Sequence, residues 1–183
     1  MGKFNPYHDP SNGQFTTAAG TSGQDEAHVQ LAAETAAGKY SVNLQEEEKN
    51  GGHTIGRHVN RSDAALMAEA QIPYKQTFWD TIYQAKGSFL SLSSANDFVN
   101  RVLERNAGLV DAVASGALDS QWLEERFGYP TGKEALVSDE SLEPRIRPTY
   151  NVGVQILHDS LSPRGYRVLT AYPLNDIPGE DRL

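Results

Sequence analysis

Val152-Gly153-Val154-Gln155-Ile156 and Tyr166-Arg167-Val168-Leu169-Thr170-Ala171-Tyr172-Pro173 set the period of the C-terminal third of the chain. In the first run Val152, Val154 and Ile156 alternate with Gly153 and Gln155, the two-residue repeat of a half-buried strand. In the second, Tyr166, Val168, Thr170 and Tyr172 alternate with Arg167, Leu169 and Ala171. Pro173 closes that run, because it has no N–H to give to a ladder. Residues 159–164 hold Asp, Ser and Pro, so the two runs read as an antiparallel hairpin with a long loop. Upstream, 122–127 and 133–137 are short candidate strands around the turn-rich Gly128-Tyr129-Pro130-Thr131-Gly132.

N-terminal of these strands the period changes. Ser62-Asp63 before Ala64, Ala65, Leu66, Met67 and Ala68 is a capped helix start, and Ile72-Pro73 ends that helix. Residues 74–92 carry Tyr74, Phe78, Trp79, Ile82, Tyr83, Phe89 and Leu90 and are expected to pack on the core as a mixed segment. Ser94 with Asp97 resembles a capping box with Asp in place of Glu or Gln. Phe98, Val99, Val102 and Leu103 then recur at helical spacing. After Asn106 and Gly108, Leu109, Val110 and Val113 continue in a second helix that ends at Gly116. Helices first and strands afterwards indicate an α+β fold, with N-terminal helices packed on a small antiparallel β-sheet.

Residues 1–50 are rich in Gly, Ala, Ser, Thr, Gln and Asn and poor in large apolar side chains. Such a stretch buries little and reads as a linker-like, partly disordered segment, with one short helix over 25–37. Glu46-Glu47-Glu48-Lys49-Asn50-Gly51-Gly52 reads as a solvated charge run closed by a flexible glycine pair. The folded domain is therefore expected over 51–175, with 176–183 as a tail.

Composition narrows the chemistry. The 183 residues contain no cysteine, which removes disulfides, thiolate zinc sites and a cysteine nucleophile. No run approaches the roughly 20 apolar residues of a membrane span, and the N-terminus shows no apolar signal-peptide core. A net charge of −8 argues against coating nucleic acid by bulk attraction, but leaves room for a small basic cleft on an acidic body. P-loop, dinucleotide-fingerprint, GxSxG and HExxH motifs are all absent.

Two constellations remain. In Gly51-Gly52-His53-Thr54-Ile55-Gly56-Arg57-His58-Val59-Asn60-Arg61, two histidines and two arginines fall within nine residues of an acidic chain. Five residues apart on a helix they sit about 140° apart, so they would not chelate one metal together, and one of them is expected to face a cleft while the other packs inward. The glycine pair permits close approach of a ligand or a sharp helix entry. The plain alternative is a surface helix with solvated charges and one capping histidine. The second constellation is the last strand, where period two puts Tyr166, Thr170 and Tyr172 on one face. Hydroxyls of Thr170 and Tyr172 can both reach one phosphate, although Thr and Tyr are also simply good strand formers. His8 and His28 read as exposed, and His158 reads as a core or edge residue.

Gly51-Gly52-His53-Thr54-Ile55-x-x-His58-Val59-x-Arg61-Ser62-Asp63 resembles the opening of the bacterial RNase A-like toxin domain of contact-dependent growth inhibition proteins, and residues 165–173 resemble its closing strand. The resemblance covers about residues 51–175. It implies an RNase A-like fold without disulfides and a metal-independent endoribonuclease without cofactor that leaves 2′,3′-cyclic phosphate ends, with transfer RNA as the substrate class to expect. It further implies a histidine from the first helix, His53 ahead of His58, a cation, and the pair Thr170 and Tyr172. The cation is Arg57 or Arg61. If the family's arginine lies further along, this chain offers Ala64 or Glu69 there, and the assignment fails unless a distant arginine such as Arg145, Arg147 or Arg167 substitutes. His58, Arg61 and Arg167 are the candidate substrate-binding residues. Tyr172, the other histidine or His158 would protonate the leaving oxygen. A toxin of this kind implies delivery into a target-cell cytoplasm and a cognate immunity protein.

Phe4-Asn5-Pro6-Tyr7-His8-Asp9-Pro10-Ser11-Asn12-Gly13-Gln14-Phe15 resembles a segment of phage head-morphogenesis and portal-associated proteins. That resemblance implies capsid or portal partners and virion association. It motivates one alternative, a scaffolding module without activity. Another toxin chemistry on a similar scaffold, ADP-ribosyl transfer, is the second.

Overall fold

A computed structural model describes residues 38–176, apart from 79–80 and 139–140. The helix expected over 25–37 and the phage-like segment at residues 4–15 lie outside the described residues. All the elements below fall in the compact unit Lys39–Leu183.

Among the described residues three short helices come first: α1 (Leu44–Lys49), α2 (Thr54–His58) and α3 (Asp63–Ala70). The small strands β1 (Pro73–Gln76), β2 (Thr81–Tyr83) and β3 (Lys86–Ser88) follow, then α4 (Leu92–Arg105) and α5 (Ala107–Ala114). The chain ends in β4 (Ser120–Arg126), β5 (Gly132–Ser138), β6 (Ser141–Thr149), β7 (Asn151–His158) and β8 (Tyr166–Leu174). All ladders are antiparallel, in three sheets ordered β1-β2, β3-β5-β6 and β4-β7-β8. The α+β reading holds, with more than one small sheet.

The main core lies between α4, α5 and the inner face of β4-β7-β8. Phe98, Val99, Val102, Leu103, Val110 and Val113 meet Leu123, Val152, Val154, Ile156 and Val168 there. A smaller cluster seats Leu66 and Ala70 of α3 on Ala135, with Ile146 beside them. Gly153 is required by packing, because a Cβ on it would lie 2.0 Å from the Trp122 ring. That indole lies over the gap and reaches Tyr172 beyond it, ring centroids 5.2 Å apart.

Several expectations change. The fold begins before Gly51: Val42 and Leu44 belong to the main core. The charge run is helix α1, and Glu47 is 2% exposed, ion-paired with Arg164. Spacing hid this, since one face of a single turn buries a carboxylate whose partner lies 117 residues away. The capping box at α4 uses Ser91 and Ser94, one turn earlier than Ser94 and Asp97. Asp97 instead pairs with Arg101 along the helix. Among the described residues of 74–92, Phe89 enters the core and Leu92 packs against it, whereas Tyr74, Phe78, Ile82 and Leu90 are exposed.

The last strand departs from strict alternation. Gln155 pairs with Thr170 and Ile156 with Val168, so Leu169 is an extra residue, a β-bulge. The phase shifts across it. Tyr166 and Val168 are buried before the bulge and Ala171 after it, while Thr170 and Tyr172 are only part-buried. Tyr166 is therefore a core residue rather than a neighbour of Thr170 and Tyr172. Its hydroxyl donates to the Tyr40 carbonyl, and burial pushes its pKa up to about 12.

Candidate active site

Strand β8 is an edge of its sheet, and the segment 47–54 occupies the backbone groups that such an edge leaves open. Val168 N–H donates to the Glu47 carboxylate at 2.7 Å. Leu169 C=O, at the bulge, accepts His53 N–H at 2.9 Å, and Ala171 N–H donates to Thr54 Oγ1 at 2.9 Å. The glycine pair makes this approach possible. Gly51 has φ +90°, and a Cβ on Gly52 would come within 2.9 Å of the Val168 carbonyl and 2.8 Å of the Glu47 carbonyl. His53 is thereby fixed beside the strand that carries Thr170 and Tyr172.

Helix α2 is a single turn, and its open N–H groups are met from α1. The Glu48 carboxylate accepts from Ile55 N–H at 3.0 Å and Gly56 N–H at 2.9 Å. His53 is its N-cap residue, with φ −144° and ψ 26°. The 140° separation of an ideal helix therefore does not apply, and both histidines line one cleft. His58 packs inward against Gly87 and Tyr172 while it still lines the cleft.

The far end of α2 is joined to β3. Phe89 N–H donates to His58 C=O at 2.8 Å and Asn60 N–H to Phe89 C=O at 2.9 Å. His58 Nδ1 lies 3.0 Å from the Gly87 carbonyl. A carbonyl only accepts, so Nδ1 carries the proton, and the neutral ring keeps its lone pair on Nε2. Burial holds the His58 pKa below the usual histidine value, opposed by the Gly87 hydrogen bond. His53 and Arg57 nearby lower it further, and Glu69 works against them. The ring lies against Tyr172, centroids 5.0 Å apart.

The cleft has a volume of about 430 Å³ and is lined by His53, Gly56, Arg57, His58, Arg61, Glu69, Gln84, Ala85, Lys86, Gly87, Thr170 and Tyr172. The backbone of Arg61 is held by Ser88 Oγ at 3.0 Å, and its guanidinium is ion-paired with Glu69. Arg57 is exposed at the rim. Thr170 Oγ1 is buried with no hydrogen-bond partner among the described residues, an arrangement that costs stability unless something else binds it. The cleft thus gathers two imidazoles, three cations and two hydroxyls around one carboxylate.

Six of the seven residues singled out from sequence meet here: His53, Arg57, His58, Arg61, Thr170 and Tyr172. Arg167 does not. It faces another depression, where it contacts Asn50 C=O at 3.3 Å and Asp159 at 3.9 Å. Arg147 is engaged by Glu134 at 2.7 Å, and neither it nor Arg145 lines the cleft. His158 contacts the Val113 carbonyl at 2.9 Å and does not line the cleft. Sequence reading missed Glu69 as the partner of Arg61, and Gln84 and Lys86 as cleft wall. The only signal for Glu69 was its place one helix beyond the histidine block.

The bacterial CdiA-CT RNAse A domain family matches residues 52–173. No curated protein matches the chain. Among solved structures, a chain of the crystal structure of a CdiA-CT/CdiI complex from Y. kristensenii 33638 is similar, at 24% identity and TM-score 0.54. That match covers 67% of this chain and 98% of the other, and it shows the shared fold. The match at 52–173 does not reach residues 4–15 and gives no support to capsid or portal partners or to virion association. With two thirds of its length matched, from the histidine block to the closing strand, this chain belongs to the family of bacterial CdiA-CT RNase A domains.

Proposed function

We propose that the domain is a metal-independent endoribonuclease toxin that cleaves RNA by attack of the substrate's own 2′-hydroxyl. The observation that carries this reading is the convergence of His53, His58, Thr170 and Tyr172 with Arg57 and Arg61 in one cleft.

The geometry favours His58 as the base and His53 as the acid, the reverse of the order preferred from sequence. A base must be neutral when it meets the substrate. The half-buried His58 ring favours its neutral form, and the Gly87 carbonyl orients it with Nε2 as acceptor. His58 Nε2 takes the 2′-OH proton as O2′ bonds to phosphorus. The P–O5′ bond breaks, and a protonated His53 gives its proton to O5′. One proton enters the enzyme and one leaves it, and the product is a 2′,3′-cyclic phosphate. Charge gathering on the phosphoryl oxygens is met by the Arg61 and Arg57 guanidiniums and the Thr170 and Tyr172 hydroxyls. DNA lacks the nucleophile and is inert. Transfer RNA is the expected substrate class, the target-cell cytoplasm the place of action, and an immunity protein that covers the cleft the partner. The CdiA-CT/CdiI complex of the similar solved structure supports such a partner.

The test is incubation of total bacterial RNA with the wild type, His53→Ala and His58→Ala in EDTA. Cleavage by the wild type alone, with cyclic phosphate ends, is the expected result. Cleavage only with added divalent metal, or with 3′-hydroxyl ends, would overturn it.

A further inference from the structure

Strands β1 and β2 pair with each other and with neither of the three-stranded sheets. Tyr74 and Phe78 expose 71% and 90% of their surface and Ile82 45%, so this hairpin stabilises the fold little. An isolated hairpin that holds aromatic residues out to solvent is suited to contact something else. Two observations identify what. The hairpin is continuous with the cleft, since β2 ends at Tyr83 and the next residues, Gln84, Ala85 and Lys86, form the cleft wall. Its charge also departs from that of the whole chain: over residues 73–83 Lys75 offsets the single acid, Asp80, and Lys86 follows in the cleft wall, in a protein of net charge −8.

We propose that the β1–β2 hairpin is a stacking arm for the single-stranded stretch of RNA that leaves the cleft. The inference rests on the ribonuclease reading of the cleft. Aromatic side chains stack on any base, so the arm contributes affinity without sequence preference. Lys75 lies directly across from Ile82 in the ladder, so both present to the same side of the hairpin, where Lys75 meets backbone phosphates. Strand β2 holds three residues, roughly 10 Å at strand rise, a reach of one or two nucleotides.

The experiment uses the full chain and a fluorescent 2′-O-methyl RNA octamer, which lacks the nucleophile and is not cleaved. Its affinity is measured for the wild type, Tyr74→Ala, Phe78→Ala and Tyr74→Phe, alongside cleavage of an unmodified dinucleotide. The expected result is octamer binding weaker on the order of tenfold in each Ala variant and restored in Tyr74→Phe, with dinucleotide cleavage unchanged. Equal octamer affinity across all four proteins overturns the arm, including the case in which the Ala variants lose hold of an immunity protein instead. A wild type that leaves both the dinucleotide and total RNA uncut overturns the ribonuclease reading, while the octamer binding still decides the arm.

Discussion

The Thr54 hydroxyl accepts the backbone N–H of Ala171 at 2.9 Å, joining α2 to β8 across 117 residues of chain. Thr54 follows His53, and Ala171 lies between Thr170 and Tyr172, so this bond sets the spacing between the two halves of the cleft. Thr54→Val keeps the shape and leaves a buried N–H unsatisfied. It is expected to cost about 1–3 kcal/mol of stability, read from denaturant unfolding. RNA cleavage at saturating substrate should fall as well. A loss of stability with unchanged kcat would show that the spacing is held by other contacts.

His58 makes both stability and rate depend on pH. Its folded-state pKa is lowered, so the unfolded chain binds the proton more readily and stability rises with pH through that window. Going down, the His58 contribution is present above the ordinary value of 6.5 and is lost as pH falls toward the folded pKa. His58→Gln, whose amide can still donate to Gly87, should therefore lose less Tm than the wild type between about pH 7.5 and about pH 5. The acidic limb of kcat/KM for RNA should lie below the ordinary histidine value. A limb above it would argue against His58 as the base.

The ion pair of Arg61 and Glu69 places a carboxylate in the cleft wall. Arg61→Gln removes a cation and leaves that carboxylate without its partner. It is expected to lower kcat/KM on the order of 10²–10³-fold. Adding Glu69→Gln should recover part of the loss, since it removes the like charge facing the substrate. Near-wild-type turnover of Arg61→Gln would assign the cation role to Arg57.

Gly153→Ala tests the aromatic relay behind the site. The new methyl would displace the Trp122 ring, and the ring would be driven against Tyr172. Overpacking of this kind is expected to cost about 1–3 kcal/mol. Circular dichroism in the aromatic region should change, and cleavage should fall more than the stability loss alone accounts for. Trp122→Ala in the same background should restore part of the stability.

Most elements could be read locally. Ser62 capping α3, the apolar stripe of Phe98, Val99, Val102 and Leu103, and the alternation of Val152, Val154 and Ile156 each specify their element through neighbours a few residues away. The residue types of the cleft were legible too, because His53, His58, Arg57 and Arg61 crowd into nine residues. What stayed hidden depends on contacts between distant residues. A bulge is one residue of register, and no pattern in residues 166–172 marks Leu169 as the extra one. Tyr166 therefore goes to the core, and Thr170 with Tyr172 to the cleft, only once β8 is laid against β7. The carboxylate of Glu47 looks like any solvated charge until Arg164 and Val168 N–H close on it. Sequence by itself determined the chemistry available, the α+β class and the family. Tertiary structure decided which histidine is buried and oriented, which arginine has an acidic partner and which aromatics stay in water, because burial, register and charge pairing are set by neighbours that the chain brings together only on folding.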